Sequence, residues 1–167
     1  RPIWGRYGKG DTLMKEFDYN LDYKNLDFSL QINRKYYRIG RGEQGVLLVE
    51  PYKSDICKVW RFATLEDAKV SASTIYEMFL GYRDMKDFIG MDMCRKFLEM
   101  GFTRSRRYAN HKDGKKYDEN RNIIPQEKDA LTSEKALCAR VFKSARDMAV
   151  EDPIYQKMRK YWRANEA

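Results

Sequence analysis

Six cations fall between positions 104 and 116, at Arg104, Arg106, Arg107, Lys112, Lys115 and Lys116, with only Asp113 opposing them and with Tyr108, Asn110 and His111 interleaved. Guanidinium forks pair with phosphate oxygens in a bidentate way, lysines meet them as point charges, and an aromatic plane stacks on a base. These residue types at this spacing therefore suit contact with a nucleic acid. If Thr103 caps a helical turn, Arg104, Arg107, Tyr108 and His111 share one face. The plain alternative is a solvated charged face that keeps the protein in solution. Against it, six neighbouring cations repel one another and are easier to hold beside a counter-anion. His111 as a lone acid or base would serve a small enzyme acting on phosphorylated substrates. A second basic set, Lys157, Arg159, Lys160 and Arg163, lies where it complements a helix C-terminus.

The segment Gly40-Arg41-Gly42-Glu43-Gln44-Gly45 spells G-x-G-x-x-G. In a dinucleotide-binding fold those glycines lead from a strand into a helix, whereas Val46, Leu47, Leu48 and Val49 follow here and read as a strand. The phosphate-binding lysine motif also fails, because Gly45 precedes Val46. A protein-kinase loop would need catalytic elements that do not follow. Two readings remain: a hairpin loop whose glycines need positive φ, or a backbone nest for one phosphate built from Arg38, Gly40, Arg41, Gly42 and Gly45. Glu50 and Lys53 on one strand would point to opposite faces and do not make a nuclease pair. Asp84, Asp87 and Asp92 sit where helix N-terminal acids are expected. No catalytic residue, metal site or cofactor is assigned.

Elements must hold these residues in place. Residues 17–28 read as a short strand with turns, and residues 36–39 and 46–52 as the two strands of a hairpin. The period then lengthens. Thr64 with Asp67 marks a cap, and Leu65, Ala68, Ala72, Ile75, Tyr76 and Phe79 share one helix face. A second helix is expected over 88–100, burying Ile89, Met93, Phe97 and Met100 and stopping at Gly101. Residues 111–126 form a long basic loop. A third helix follows Thr132 or Ser133, with Cys138, Val141, Phe142, Ala145 and Met148 inward. A fourth starts at Pro153 behind Asp152 and buries Ile154, Met158, Tyr161 and Trp162. The expected fold is α+β: a small antiparallel sheet, the N-terminal hairpin, packed against about four helices.

The chain has 167 residues and a net charge of +8, with 33 Lys and Arg against 25 Asp and Glu. That length suits one domain over 1–167, in which residues 1–15 form an extended arm. The charge attracts polyanions before any shape is matched. Cys57, Cys94 and Cys138 are odd in number and far apart, which suggests neither a disulfide framework nor a zinc ribbon. With no run of about 18 apolar residues and no apolar leader after Arg1, the expectation is no membrane contact and a place in the cytoplasm.

Residues 37–53, the later Trp60-Arg61-Phe62, the segments 90–93 and 95–98, and Arg106-Arg107-Tyr108-Ala109-Asn110 together resemble a family of small uncharacterised proteins shared by cyanobacterial phages and bacteria. The resemblance spans roughly residue 17 to the last helix and implies a phage or bacterial intracellular setting, without an activity. A looser likeness, to the WGR module of DNA-end-sensing proteins, rests on Trp4-Gly5-Arg6-Tyr7-Gly8, although the order of elements differs. The leading reading is a DNA- or RNA-binding accessory protein without catalysis. The runner-up is an interaction or inhibitor module that docks on an acidic host or phage protein. The third is a small phosphate-handling enzyme that uses the glycine loop.

Overall fold

The computed structural model describes residues 15–166, so Trp4 to Gly8 and nearly all of the expected arm lie outside the described residues. Six helices form among them: α1 (Gln31–Arg34), α2 (Tyr52–Cys57), α3 (Leu65–Asp84), α4 (Phe88–Asn110), α5 (Glu134–Glu151) and α6 (Pro153–Ala164). No sheet forms among these residues. Strand pairing reduces to two isolated bridges, Asp27 with Glu50 and Tyr117 with Ile123, and the expected α+β class is corrected to all-α.

The hairpin fails for a physical reason. Gly40, Gly42 and Gly45 sit at φ of 68°, 53° and 77°, which turns the chain repeatedly within six residues. The amides of Gln44, Val46 and Leu48 then bond back to the carbonyls of Arg41, Glu43 and Gly45. The remaining carbonyls are taken by side chains. Trp162 Nε1 donates to Tyr37 O at 2.9 Å, Arg163 to Gly40 O at 2.9 Å and Lys96 Nζ to Gln44 O at 2.6 Å, while Arg95 donates to Gly42 O. Backbone polar groups removed from water need partners, and here α4 and α6 provide what a neighbouring strand provides in a sheet. Tyr37, Ile39, Val46 and Val49, the apolar residues that suggested strands, are buried along this looped segment.

Local signals set the helices as expected at three points. Thr64 Oγ1 accepts the amide of Asp67 at 3.0 Å at the start of α3, Ser133 caps α5, and Asp152 accepts the amides of Ile154 and Tyr155 with Pro153 at the first position of α6. Helices α3, α4 and α5 pack mutually, and α2 and α6 close on α4. Helix α4 does not stop at Gly101 but runs on to Asn110, and the glycine serves packing instead, since Phe142 of α5 lies where a side chain at Gly101 would be. The apolar stripe of α6 is also displaced. Tyr155, Met158 and Trp162 face the core, while Ile154 and Tyr161 are 49% and 70% exposed. Met148 of α5, expected inward, is likewise exposed. No helix among the described residues is long and apolar enough to cross a membrane.

The centre of the molecule is charged. Asp92, Arg95 and Lys96 occupy successive turns of α4 and are at most 1% exposed. Arg95 donates to Asp92 Oδ1 at 2.8 Å and Tyr155 donates to the same oxygen at 2.6 Å; Tyr37 donates to Oδ2, and Lys96 Nζ stands 3.9 Å from it. Burial alone would raise the Asp92 carboxyl, but Arg95, Lys96 and the two hydroxyls outweigh it and hold it at about 2. Lys96 is the surplus cation. Burial, with repulsion from Arg95 and Arg163, outweighs the pull of Asp92 and pushes its ammonium down to about 7.

That shift has a measurable sign. Between about pH 7 and the lysine's ordinary value of 10.5, the unfolded chain holds a proton on Lys96 that the folded chain has released, so stability rises with pH. Above about pH 8.5 the buried thiol of Cys94, whose ionisation is pushed up by burial, works in the opposite direction. Urea midpoints should therefore climb from pH 7 to about pH 8.5, and the climb should vanish in Lys96→Met.

Candidate nucleic-acid interface

The basic cluster is carried by the last two turns of α4 and the segment that follows. Arg104 and Arg107 are exposed on one side of the helix, and Ser105 and Ala109 are buried on the other. The guanidinium of Arg104 stands 5.7 Å from the centre of the Trp60 ring, which orients it while leaving it in water. Lys112, Lys115 and Lys116 are exposed in the segment beyond the helix. Among the described residues none of these five cations has a carboxylate oxygen within 4.0 Å, whereas Arg34, Arg83, Arg95 and Arg146 each do.

Residues 111–126 have a shape that their composition did not show. The amide of Glu127 donates to Asn110 O at 2.8 Å and the amide of Lys112 to the Glu127 carboxylate at 3.0 Å, so the segment is closed at its neck. Its far end turns about Asp118, whose Oδ1 accepts the amides of Asn120 and Asn122 at 2.8 and 2.9 Å. Gly114 lies directly against the Tyr108 ring: a Cβ there would stand 2.9 Å from Cε1. Tyr108 thus supports the loop with part of its ring and keeps 43% of its surface exposed.

Between the helix end and this loop lies a cleft of about 370 Å³, lined by Arg106, Arg107, Asn110, His111, Lys116 and Gln126 among others. Five of the residues singled out from sequence therefore converge. Their roles differ. Arg106 donates Nε to Asn110 Oδ1 at 3.1 Å and also bonds to the carbonyl of Ala130, so it ties the helix to the returning chain. His111 is 6% exposed, and its Nδ1 is buried with no hydrogen-bond partner. It does not stand on an open face with Arg104 and Arg107, because the helix ends there: His111 takes an extended conformation, with its amide still bonded to Arg107 O at 3.0 Å.

The glycine loop reaches the same region by another route. Thr103 Oγ1 donates to the Glu43 carboxylate at 2.9 Å, one residue before Arg104. Burial raises the Glu43 carboxyl above its usual range, with Glu99 adding to the rise, and Arg104 and Arg107 oppose it from a distance. The nest reading needs free amides. Those of Gln44, Val46 and Leu48 bond within the loop, and that of Arg41 bonds to Gln44 Oε1 at 2.8 Å. Arg41 extends its guanidinium 3.8 Å from Glu16, and Arg38 donates to Glu16 O at 3.5 Å. The three aspartates also have places. Asp84 ends α3, Asp92 is the buried centre, and Asp87 caps α4 while bonded to Arg34 and Tyr52. Among the described residues no three His, Cys, Asp or Glu side chains gather where a metal ion would sit.

Glu43, Thr103 and Gln126 were not legible as neighbours of the cluster, since they come from a loop, a helix face and a distant return strand of chain. The Asp92, Arg95, Lys96 spacing of three and four is the signal that could have marked one helix face, whereas Asp92 reads in sequence as a helix N-terminal acid. No curated protein and no solved structure matches the chain. The model of one family, a domain of unknown function named DUF4385, matches residues 18–165, and the chain belongs to that family.

Proposed function

We propose that this protein binds nucleic acid through the end of α4 and the closed loop that follows, without catalysis. The observation that carries this reading is the set of five exposed cations, Arg104, Arg107, Lys112, Lys115 and Lys116, with no carboxylate of the described residues in pairing range. Exposed lysines elsewhere, such as Lys24, Lys35 and Lys69, are scattered along the chain, whereas these five cations fall within residues 104–116, and that density supports a site for an external polyanion. A phage or bacterial setting, as the family resemblance implies, offers DNA and RNA in one compartment.

Phosphate contacts release counterions, and each contributes about 0.9 to the slope of log affinity against log salt on duplex DNA. The double change Arg104→Ala, Arg107→Ala should flatten that slope by nearly two when binding is titrated across salt. Both side chains are exposed, so the fold should persist. An unchanged slope removes the assignment. An acidic protein as partner is the competing outcome, and it would survive nuclease treatment of a lysate in which the protein is captured, whereas a nucleic-acid bridge would not.

A further inference from the structure

The cleft beside the cations has features that an open phosphate-binding face does not require. It is concave, and its 370 Å³ is near the lower end of the range for pockets that hold small molecules. Arg107 and Lys116 both line it, one from the helix and one from the loop. Asn110 has its carbonyl oxygen engaged by Arg106 at 3.1 Å, which orients the amide and leaves its nitrogen to donate. Gln126 adds a second amide to the lining. At the helix end His111 is more than nine-tenths buried, with Nδ1 unpartnered. A buried polar nitrogen without a partner among the described residues is uncommon and calls for a complement, which a ligand in the cleft would supply.

We infer that this cleft is a site for a phosphate monoester carried on a nucleotide, either the phosphorylated end of a nucleic-acid strand or a free nucleoside monophosphate. The inference rests on the nucleic-acid reading for the first source and is independent of it for the second. A diester in a running strand bears one negative charge and is flanked by sugars on both sides, so it meets cations on an open surface. A monoester bears about 1.5 to 2 charges at pH 7 and ends the chain, so it can enter a partly open cleft and take hydrogen bonds from several groups. Two cations, two side-chain amides and a buried imidazole around one small volume match the second description. The same lining contains no carboxylate to repel the dianion. The acids just outside it are engaged, Glu43 by the Thr103 hydroxyl and Glu127 by the amide of Lys112.

Three fluorescently labelled single strands of one sequence test this, ending in a 5′-phosphate, a 3′-phosphate or hydroxyls only, together with adenosine and guanosine monophosphates in a thermal-shift series. A phosphorylated end is expected to bind about tenfold more tightly than the hydroxyl-ended strand at the same salt. Arg107→Ala or Lys116→Ala should bring that ratio to about one, while Lys128→Ala, exposed and absent from the cleft lining, should keep it. Equal binding of all three strands, with no shift by either monophosphate, overturns the inference and leaves the open-surface reading standing. Response to a monophosphate without strand binding keeps the inference and removes the nucleic-acid reading. Silence in every arm removes both.

Discussion

Asp92→Asn is expected to destabilise the protein by about 3–5 kcal/mol, which is the usual cost of removing one partner from a buried ion pair. The asparagine retains the size of the side chain but turns one of two acceptor oxygens into an NH2 donor, so the charge is lost and Tyr37 or Tyr155 must turn to accept instead of donate. Lys96 can follow by releasing its proton, since burial already holds it near 7. Arg95 cannot: its guanidinium stays protonated at any pH the fold survives, and it is 1% exposed and bonded to Asp92 at 2.8 Å. Loss of this buried pair therefore dominates the effect. Urea denaturation at pH 7 measures it, and a double-mutant cycle with Arg95→Met isolates the pair: the double variant should be less destabilised than the sum of the singles by well over 1 kcal/mol. A cost below about 1 kcal/mol for Asp92→Asn would mean that water or another acid compensates Arg95.

This charged centre also explains why a segment rich in strand-forming residues is not a strand. Residues 37–44 are held by Arg95, Lys96, Trp162 and Arg163, whose donors reach the carbonyls of Gly42, Gln44, Tyr37 and Gly40. Short apolar runs around glycines carry the same period whether the partner is a strand or a set of side chains, so nothing within the segment distinguishes the two. The information sits some fifty residues later in α4 and over a hundred residues later in α6. Helix ends were legible because their causes are local: Thr64 with Asp67, Ser133 with Ala136, and Asp152 with Pro153 each act within three residues. The basic cluster was legible for the same reason, as a run of charge. That Arg106 would be engaged by the Ala130 carbonyl and His111 buried was not, because both depend on how the chain returns through residues 127–130.

Glycine shows most directly how far a residue's meaning depends on what packs against it. Gly101 reads in sequence as a helix stop, yet it lies in the interior of α4, where a Cβ would stand 2.5 Å from Cδ1 and 2.6 Å from Cγ of Phe142. Those are ring atoms of a side chain with no exposed surface, wedged between helices, so they cannot give way as a flexible chain end would. Gly101→Val should therefore force α4 and α5 apart and cost about 3 kcal/mol, at the upper end of what overpacking of a filled core costs. Because Phe62 meets Phe142 edge-on at 6.1 Å, part of the cost will appear as loosening of the segment between α2 and α3. Gly81 supplies the opposite sign. It is exposed in the last turns of α3, and a Cβ there meets nothing within 4 Å. Gly81→Ala should raise stability by about 0.5–1 kcal/mol, since alanine loses less backbone freedom on entering a helix. Thermal unfolding of the two variants beside the parent separates the cases: opposite signs place the difference in Phe142, whereas a loss at both positions would show that helix α3 needs its glycine for a reason other than space.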